Sequence, residues 1–165
     1  MPWTIPASII RAWFADHWWF QGNEFLAKYV PNGGVPNYTY NTIDTSGVTD
    51  PAPQAVYATH RHSSAPGVTL SYSIPGVPSV AQNVRFHFAS FYSHQGDEVF
   101  DIKINGTVRY PNYDTLGVTY GINFKATTQT FSVTPGGDGL ITIDLVPKSS
   151  VYWTASVNGI EVLKP

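Results

Sequence analysis

The chain has 165 residues, with 9 Lys and Arg against 11 Asp and Glu, a formal net charge of −2 and no cysteine. Only 12% of residues are charged, against roughly 25% in an average protein. The basic residues stand singly along the chain, which excludes the clustered cations that nucleic-acid binding needs. The missing thiols exclude a disulfide framework and a thiolate metal site.

One even composition with no long linker predicts a single domain over residues 1–165. No apolar run approaches a membrane span, which argues against membrane insertion, and Met1-Pro2-Trp3 does not open a signal peptide. Composition leaves the compartment open, with any leader outside this sequence.

In chain order, residues 9–20 form an apolar stretch holding Trp13, Trp18 and Trp19, which periodicity leaves open between a strand and a short helix. Residues 32–49 read as a loop, with Gly33, Gly34, Pro36, Asn37 and Asn41, and loops of that length usually carry function. Strands are predicted over 56–62 and 68–74. From Asn83 a period of two sets in: Val84, Phe86 and Phe88 face one way and Arg85 and His87 the other, as in a half-buried strand. The strand 98–104 repeats it, with Phe100, Ile102 and Ile104 against Asp101 and Lys103. It ends in Asn105-Gly106, the pair suited to the positive φ angles of a type I′ turn, so a hairpin is predicted there. Further strands are expected over 129–133, 140–146 and 157–163. The 14 Gly and 13 Pro punctuate the chain too often for long helices. Short strands between regular turn signals imply an all-β antiparallel sandwich, with Phe88 and Phe100 in its core.

Aromatic residues are abundant, with 9 Phe, 10 Tyr and 5 Trp, and several fall in segments too rich in Gly, Asn and Pro for core strands. Flat rings flanked by polar, uncharged side chains suit neutral polyols, whose C–H faces stack and whose hydroxyls need hydrogen bonds. Glycoside hydrolysis would need two facing carboxylates. Asp97 and Glu98 instead adjoin in a turn, Asp101 and Asp144 alternate outward on strands, and Asp16, Glu24, Asp44, Asp50 and Asp114 sit in loops, so that these read as solvated surface carboxylates. No Gly-x-Ser-x-Gly elbow is present. His60 and His62 share a strand face at metal-ligand spacing, yet polar side chains on a strand edge explain them as well. No cofactor is called for. Structural calcium stays open, because its loop carboxylates and carbonyls follow no fixed spacing. Gly33-Gly34 and Gly136-Gly137-Asp138-Gly139 lack the helix and lysine of a phosphate loop and read as turns.

Two segments resemble a known family. Phe86-His87-Phe88-Ala89-Ser90-Phe91-Tyr92-Ser93 is similar to the "Leu/Phe-x-Phe-Ala-Glu-x-Tyr-Phe" strand of the malectin-like family, which includes bacterial modules classed as carbohydrate-binding module family 57. Val99-Phe100-Asp101-Ile102-Lys103-Ile104-Asn105-Gly106 is similar to its "Val-Phe-Asp-Val-x-Ile-Asn-Gly". In the same order, residues 54–61 resemble the "Leu-Tyr-Gln-Thr-x-Arg" strand and 159–163 the closing "Ala-Ile-Glu-Ile" strand. Upstream, Gly22-Asn23-Glu24-Phe25 and the segment 29–34 resemble the "Gly-x-x-Trp…Tyr-Phe-x-Gly-Gly" loop.

The resemblance implies a jelly-roll-like sandwich whose loops at one end cradle an oligosaccharide, glucose-configured in the best-known member. Its sugar-contacting positions fall on Tyr29, on His62, and on the pair Tyr92 and Ser93. The family's acidic residue near the last loop meets Ser150-Val151-Tyr152-Trp153 instead, and its "Asn-Ala-Gly-Gly" segment is replaced by Trp13-Phe14-Ala15-Asp16. Arg61, His94 and Trp153 join the expected ligand-binding set, and Trp18, Trp19, Phe25 and Tyr152 complete it. The resemblance also implies a secreted or extracellular module of a larger protein. The expected function is thus a non-catalytic module that binds an oligosaccharide or polysaccharide while tethered to other modules. The alternative is a protein-interaction or adhesion ectodomain on the same sandwich.

Overall fold

The computed structural model describes residues 12–15, 34–148 and 155–163. Its elements run β1 (Ala12–Ala15), β2 (Val35–Tyr38), the helical turn α1 (Gln54–Tyr57), β3 (Thr59–His62), β4 (Leu70–Pro75), β5 (Gln82–Phe88) and β6 (Val99–Ile104). There follow β7 (Thr107–Asp114), the helical turn α2 (Thr115–Val118), β8 (Thr127–Val133), β9 (Leu140–Pro147), β10 (Ser156–Val157) and β11 (Gly159–Leu163). No described helix is long and apolar enough to cross a membrane.

Two four-stranded sheets, ordered β1-β11-β5-β8 and β4-β9-β6-β7, are joined by a three-stranded sheet, β10-β3-β2. All pairs among these described strands are antiparallel. With the three-stranded sheet set aside, the remaining eight strands numbered along the chain pair as 1-8-3-6 and 2-7-4-5. This is jelly-roll connectivity, in which two Greek keys close over one core. Alternate residues of both sheets meet inside: Leu70, Tyr72 and Ile74; Val84, Phe86 and Phe88; Phe100, Ile102 and Ile104; Ile141, Ile143 and Leu145. Phe88 lies at the middle, with ring centroids 6.0 Å from both Phe86 and Phe100 and 4.6 Å from Tyr113.

The Asn105-Gly106 hairpin forms as predicted, with φ of 49° and 76° joining β6 to β7. Asn105 also closes the neighbouring strand, since its Oδ1 accepts from Thr142 N at 2.9 Å and its Nδ2 donates to Thr134 O at 3.0 Å.

Three expectations are corrected. The predicted strand 56–62 starts only at Thr59, because Pro53, with φ −54° and no N–H, opens the turn α1 and buries Val56 and Tyr57. The loop 32–49 contains the strand β2, paired with β3. Strand β5 is buried on both faces rather than one. Its outer side chains, Arg85 and His87, lie beneath the segment that precedes β3, where Arg85 donates to the carbonyls of Thr49 and Asp50 and Tyr57 Oη bonds His87 Nδ1 at 2.8 Å.

Candidate functional site

Three connections meet at one end of the sandwich: 39–44 after β2, 89–98 between β5 and β6, and 119–126 before β8. Backbone bonds stitch them together. Asp44 N donates to Phe124 O at 2.7 Å, Ala126 N to Asp44 O at 2.8 Å and Phe124 N to Ser90 O at 3.0 Å. Beneath them lies a second apolar cluster of Ile43, Val48, Val56, Tyr57, Ala89, Phe91 and Ala126, with Phe124 packed against it. This small core gives the loops a rigid floor, which a site built on loops needs for precision.

Above that floor the surface is aromatic. Tyr92 is 72% exposed, Tyr40 93% and Tyr120 88%, with Tyr38 also outside. The Tyr92 ring stands edge-on to Phe124 at 4.9 Å, and its hydroxyl accepts from Asn41 Nδ2 at 2.9 Å. Tyr38 and Tyr40 meet edge to face at 5.3 Å. Tyr92, Tyr120 and Phe124 all adopt left-handed backbone, with φ of 57°, 57° and 58°. Bulky side chains rarely do so, and such strain collects where function requires a particular side-chain direction.

The predicted site residues separate on this surface. Tyr92 presents its ring. Ser93 does not offer its hydroxyl outward: Ser93 Oγ donates to Glu98 Oε1 at 2.8 Å, while Asn123 bonds its backbone on both sides, at 3.1 and 2.9 Å. His62 is half-buried, with Nδ1 2.9 Å from Ser63 O. Arg61 is buried and donates to Gly34 O at 2.7 Å, so it braces β2 against β3. His94 is exposed in the next turn, its Nδ1 3.3 Å from Asp97 Oδ2. Tyr29, Trp153, Trp18, Trp19, Phe25 and Tyr152 lie outside the described residues.

The histidine pair also divides. His60 is buried, its ring stacked 4.5 Å from Phe91 and edge to face with His62 at 5.7 Å. Among the described residues no group of three or more His, Cys, Asp or Glu could hold a metal ion. Burial drives His60 down to about 3, the neighbouring His62 adding to the effect and the Ala89 backbone opposing it. The unfolded chain takes up that proton near the ordinary value of 6.5. The stability His60 contributes is therefore full above that value and lost as pH falls below it, at up to about 1.4 kcal/mol per pH unit. Glu98 has the opposite sign. Its raised folded value makes a contribution that is full below 4.5 and lost as pH rises. His60→Phe keeps a ring against Phe91 and removes the proton, so its urea midpoint is expected to fall less steeply on acidification than the parent's. Parallel acid limbs would contradict this.

Glu98 is a further correction, since it is only 8% exposed rather than a solvated turn carboxylate. It and the tyrosines around Tyr92 were missed in the sequence. The signal available was aromatic residues set among Asn and Gly, in Asn37-Tyr38-Thr39-Tyr40-Asn41 and Thr119-Tyr120-Gly121-Ile122-Asn123.

Together these features define an antiparallel jelly-roll domain with a loop-end aromatic surface. The Malectin domain family model matches residues 14–151, and the chain belongs to that family. No curated protein matches the sequence. Among solved structures it is similar to the ANX2 ectodomain from Arabidopsis thaliana, with TM-score 0.74 and 23% identity over 84% of this chain and 42% of that one. It is also similar to the plant receptor-like kinase FER, with TM-score 0.68 and 24% identity over 84% of this chain and 42% of that one. A third similar structure is the plant peptide RALF23 in complex with FER and LLG2, with TM-score 0.69 and 22% identity over 83% of this chain and 41% of that one. The chain thus spans about two-fifths of the length of these structures.

Proposed function

We propose that this is a non-catalytic recognition domain that binds a peptide segment of a protein partner through its loop-end tyrosine surface. The observation that carries this reading is the exposed Tyr92 ring, packed against Phe124 of the loop floor and bonded to Asn41, with exposed Tyr38, Tyr40 and Tyr120 in or beside the connections of that end. Tyr with Asn, Ser and Gly is the composition of protein-binding paratopes, because a tyrosine supplies large contact area at low entropy cost while the small polar residues adapt their hydrogen bonds. Support comes from the similar structure in which a peptide is bound in complex with FER and LLG2. An extracellular setting and further domains in the same protein fit this role.

A second reading, an oligosaccharide or polysaccharide ligand, is favoured by one feature. Tyr92 offers an open ring face beside the Asn41 amide, which pairs a stacking platform with a hydrogen-bonding group. Against it, two of the family's contact positions, Ser93 and His62, already bond within the protein.

A displayed random-peptide library and a glycan array, each probed with the parent and Tyr92→Ala, separate these readings. We expect peptides to be enriched by the parent and binding to fall by about tenfold or more in Tyr92→Ala, as for a central aromatic anchor. Glycan binding without peptide binding would transfer the site to sugars. Equal binding by both proteins would remove Tyr92 from it.

A further inference from the structure

A buried carboxylate lies directly behind the exposed ring. Glu98, just before β6, accepts hydrogen bonds from three serine hydroxyls: Ser90 at 3.0 Å, Ser93 at 2.8 Å and Ser156 at 3.0 Å. Ser90 and Ser93 bracket Phe91 and Tyr92. Ser156 belongs to β10 and pairs in register with His62 of β3. The carboxylate therefore holds both ends of the Tyr92 turn to the sheet that carries His62. On the other side of that turn, Asn123 bonds both the N–H and the C=O of Ser93.

From this geometry we propose that Glu98 is the positioning residue of the Tyr92 platform, fixing the left-handed Tyr92 turn from inside the domain. The inference rests on Tyr92 being the centre of the binding surface, but its test uses the free protein and is independent of any ligand. A buried polar network is worth most when every member is satisfied, and three donors from two segments converging on one carboxylate meet that condition. Without them, a tyrosine at φ 57° would relax toward ordinary backbone.

Few charges act on Glu98. The facing groups are the three serines and, electrostatically, the His62 imidazole, while adjacent Asp97 turns to His94, accepting from its N–H at 2.8 Å. Burial raises the Glu98 carboxyl above its ordinary 4.5, against the pull of Ser93, Ser90, Ser156 and His62. Once protonated, Glu98 can no longer accept from all three hydroxyls in the same way. Ser93 Oγ then has the Phe91 carbonyl, 3.4 Å away, as its alternative acceptor. The Tyr92 ring should consequently report the ionisation of Glu98.

The test follows the Tyr92 ring resonance of 13C-tyrosine-labelled protein against pH, assigned with Tyr92→Phe, in the parent and Glu98→Gln. Hydrogen exchange at the Ser93 amide is compared in the parent and Glu98→Ala. We expect an inflection in the parent above pH 4.5 that Glu98→Gln abolishes with its thermal midpoint still cooperative, and Ser93 exchange about tenfold faster in Glu98→Ala. An inflection that survives Glu98→Gln would overturn the proposal, as would unchanged Ser93 exchange in Glu98→Ala. Should Glu98→Ala fail to fold, Ser93→Ala, which deletes a single latch bond, replaces it in the exchange measurement with the same criteria.

Discussion

Arg85→Met is expected to destabilise the domain by about 3–5 kcal/mol, the range for removing one partner of a buried ion pair. Arg85 lies on the outer face of β5 and does two things there. Its guanidinium stands 3.9 Å from Glu161, a fully buried carboxylate on β11 that also meets His87 at 3.3 Å. It also donates to the carbonyls of Thr49 and Asp50, pinning the segment that covers the sheet. Methionine fills similar volume, so little of the loss should come from a cavity. It comes from leaving the Glu161 charge in a poorly polarisable interior without its guanidinium. The measurement is urea unfolding of Arg85→Met, Glu161→Gln and the double variant. Because part of the penalty is the lost attraction between Arg85 and Glu161, the double variant should lose less than the sum of the two single variants. Strictly additive losses would mean that Arg85 acts through the Thr49 and Asp50 carbonyls alone.

That pair also marks where sequence periodicity stopped being informative. Alternation along Val84, Arg85, Phe86, His87 and Phe88 correctly gave a strand and its inner face, and the Asn105-Gly106 turn was fixed by backbone sterics that any chain must obey. Alternation cannot tell whether the polar face meets water or another layer of chain. Arg85 and His87 read as solvent-facing because nothing local announces that 48–57 folds over them. The site divides along the same line. Tyr92 was legible, as an aromatic residue beyond a strand end among polar neighbours. Glu98 was not, because its burial depends on serines 5, 8 and 58 positions away. His62 and Ser93 matched family positions in the chain, yet their hydrogen bonds to Ser63 and Glu98 are tertiary facts. The segments around Tyr29 and Trp153 lie outside the described residues.

Asn158→Ala is the second substitution with a large expected cost, again about 3–5 kcal/mol, and one that periodicity would never single out. Asn158 interrupts the path from β10 to β11, and its side chain is buried among backbone groups of three segments. Its Oδ1 accepts from Ala89 N at 2.7 Å, and its Nδ2 donates to Tyr57 O at 2.9 Å and Thr59 O at 3.0 Å. Alanine leaves one buried N–H and two carbonyls without this partner, at about 1–3 kcal/mol for each group left unsatisfied, not fully additive. The isosteric Asn158→Asp separates shape from hydrogen-bond polarity. It keeps an acceptor for Ala89 but turns a second oxygen toward two carbonyls, so at neutral pH it should cost nearly as much as alanine. Protonation supplies a donor again, and Asn158→Asp should therefore regain stability relative to Asn158→Ala as pH falls. Thermal midpoints of the two variants against pH measure this, and a constant gap between them would rule out the polarity argument. The consequence reaches the binding surface as well. Ala89 begins the connection that carries Tyr92, and Thr59 begins the strand that carries Arg61 and His62. A loose Asn158 clamp should thus raise hydrogen exchange at 89–93 and 59–62 together, coupling the jelly-roll frame to the tyrosine platform through one buried amide.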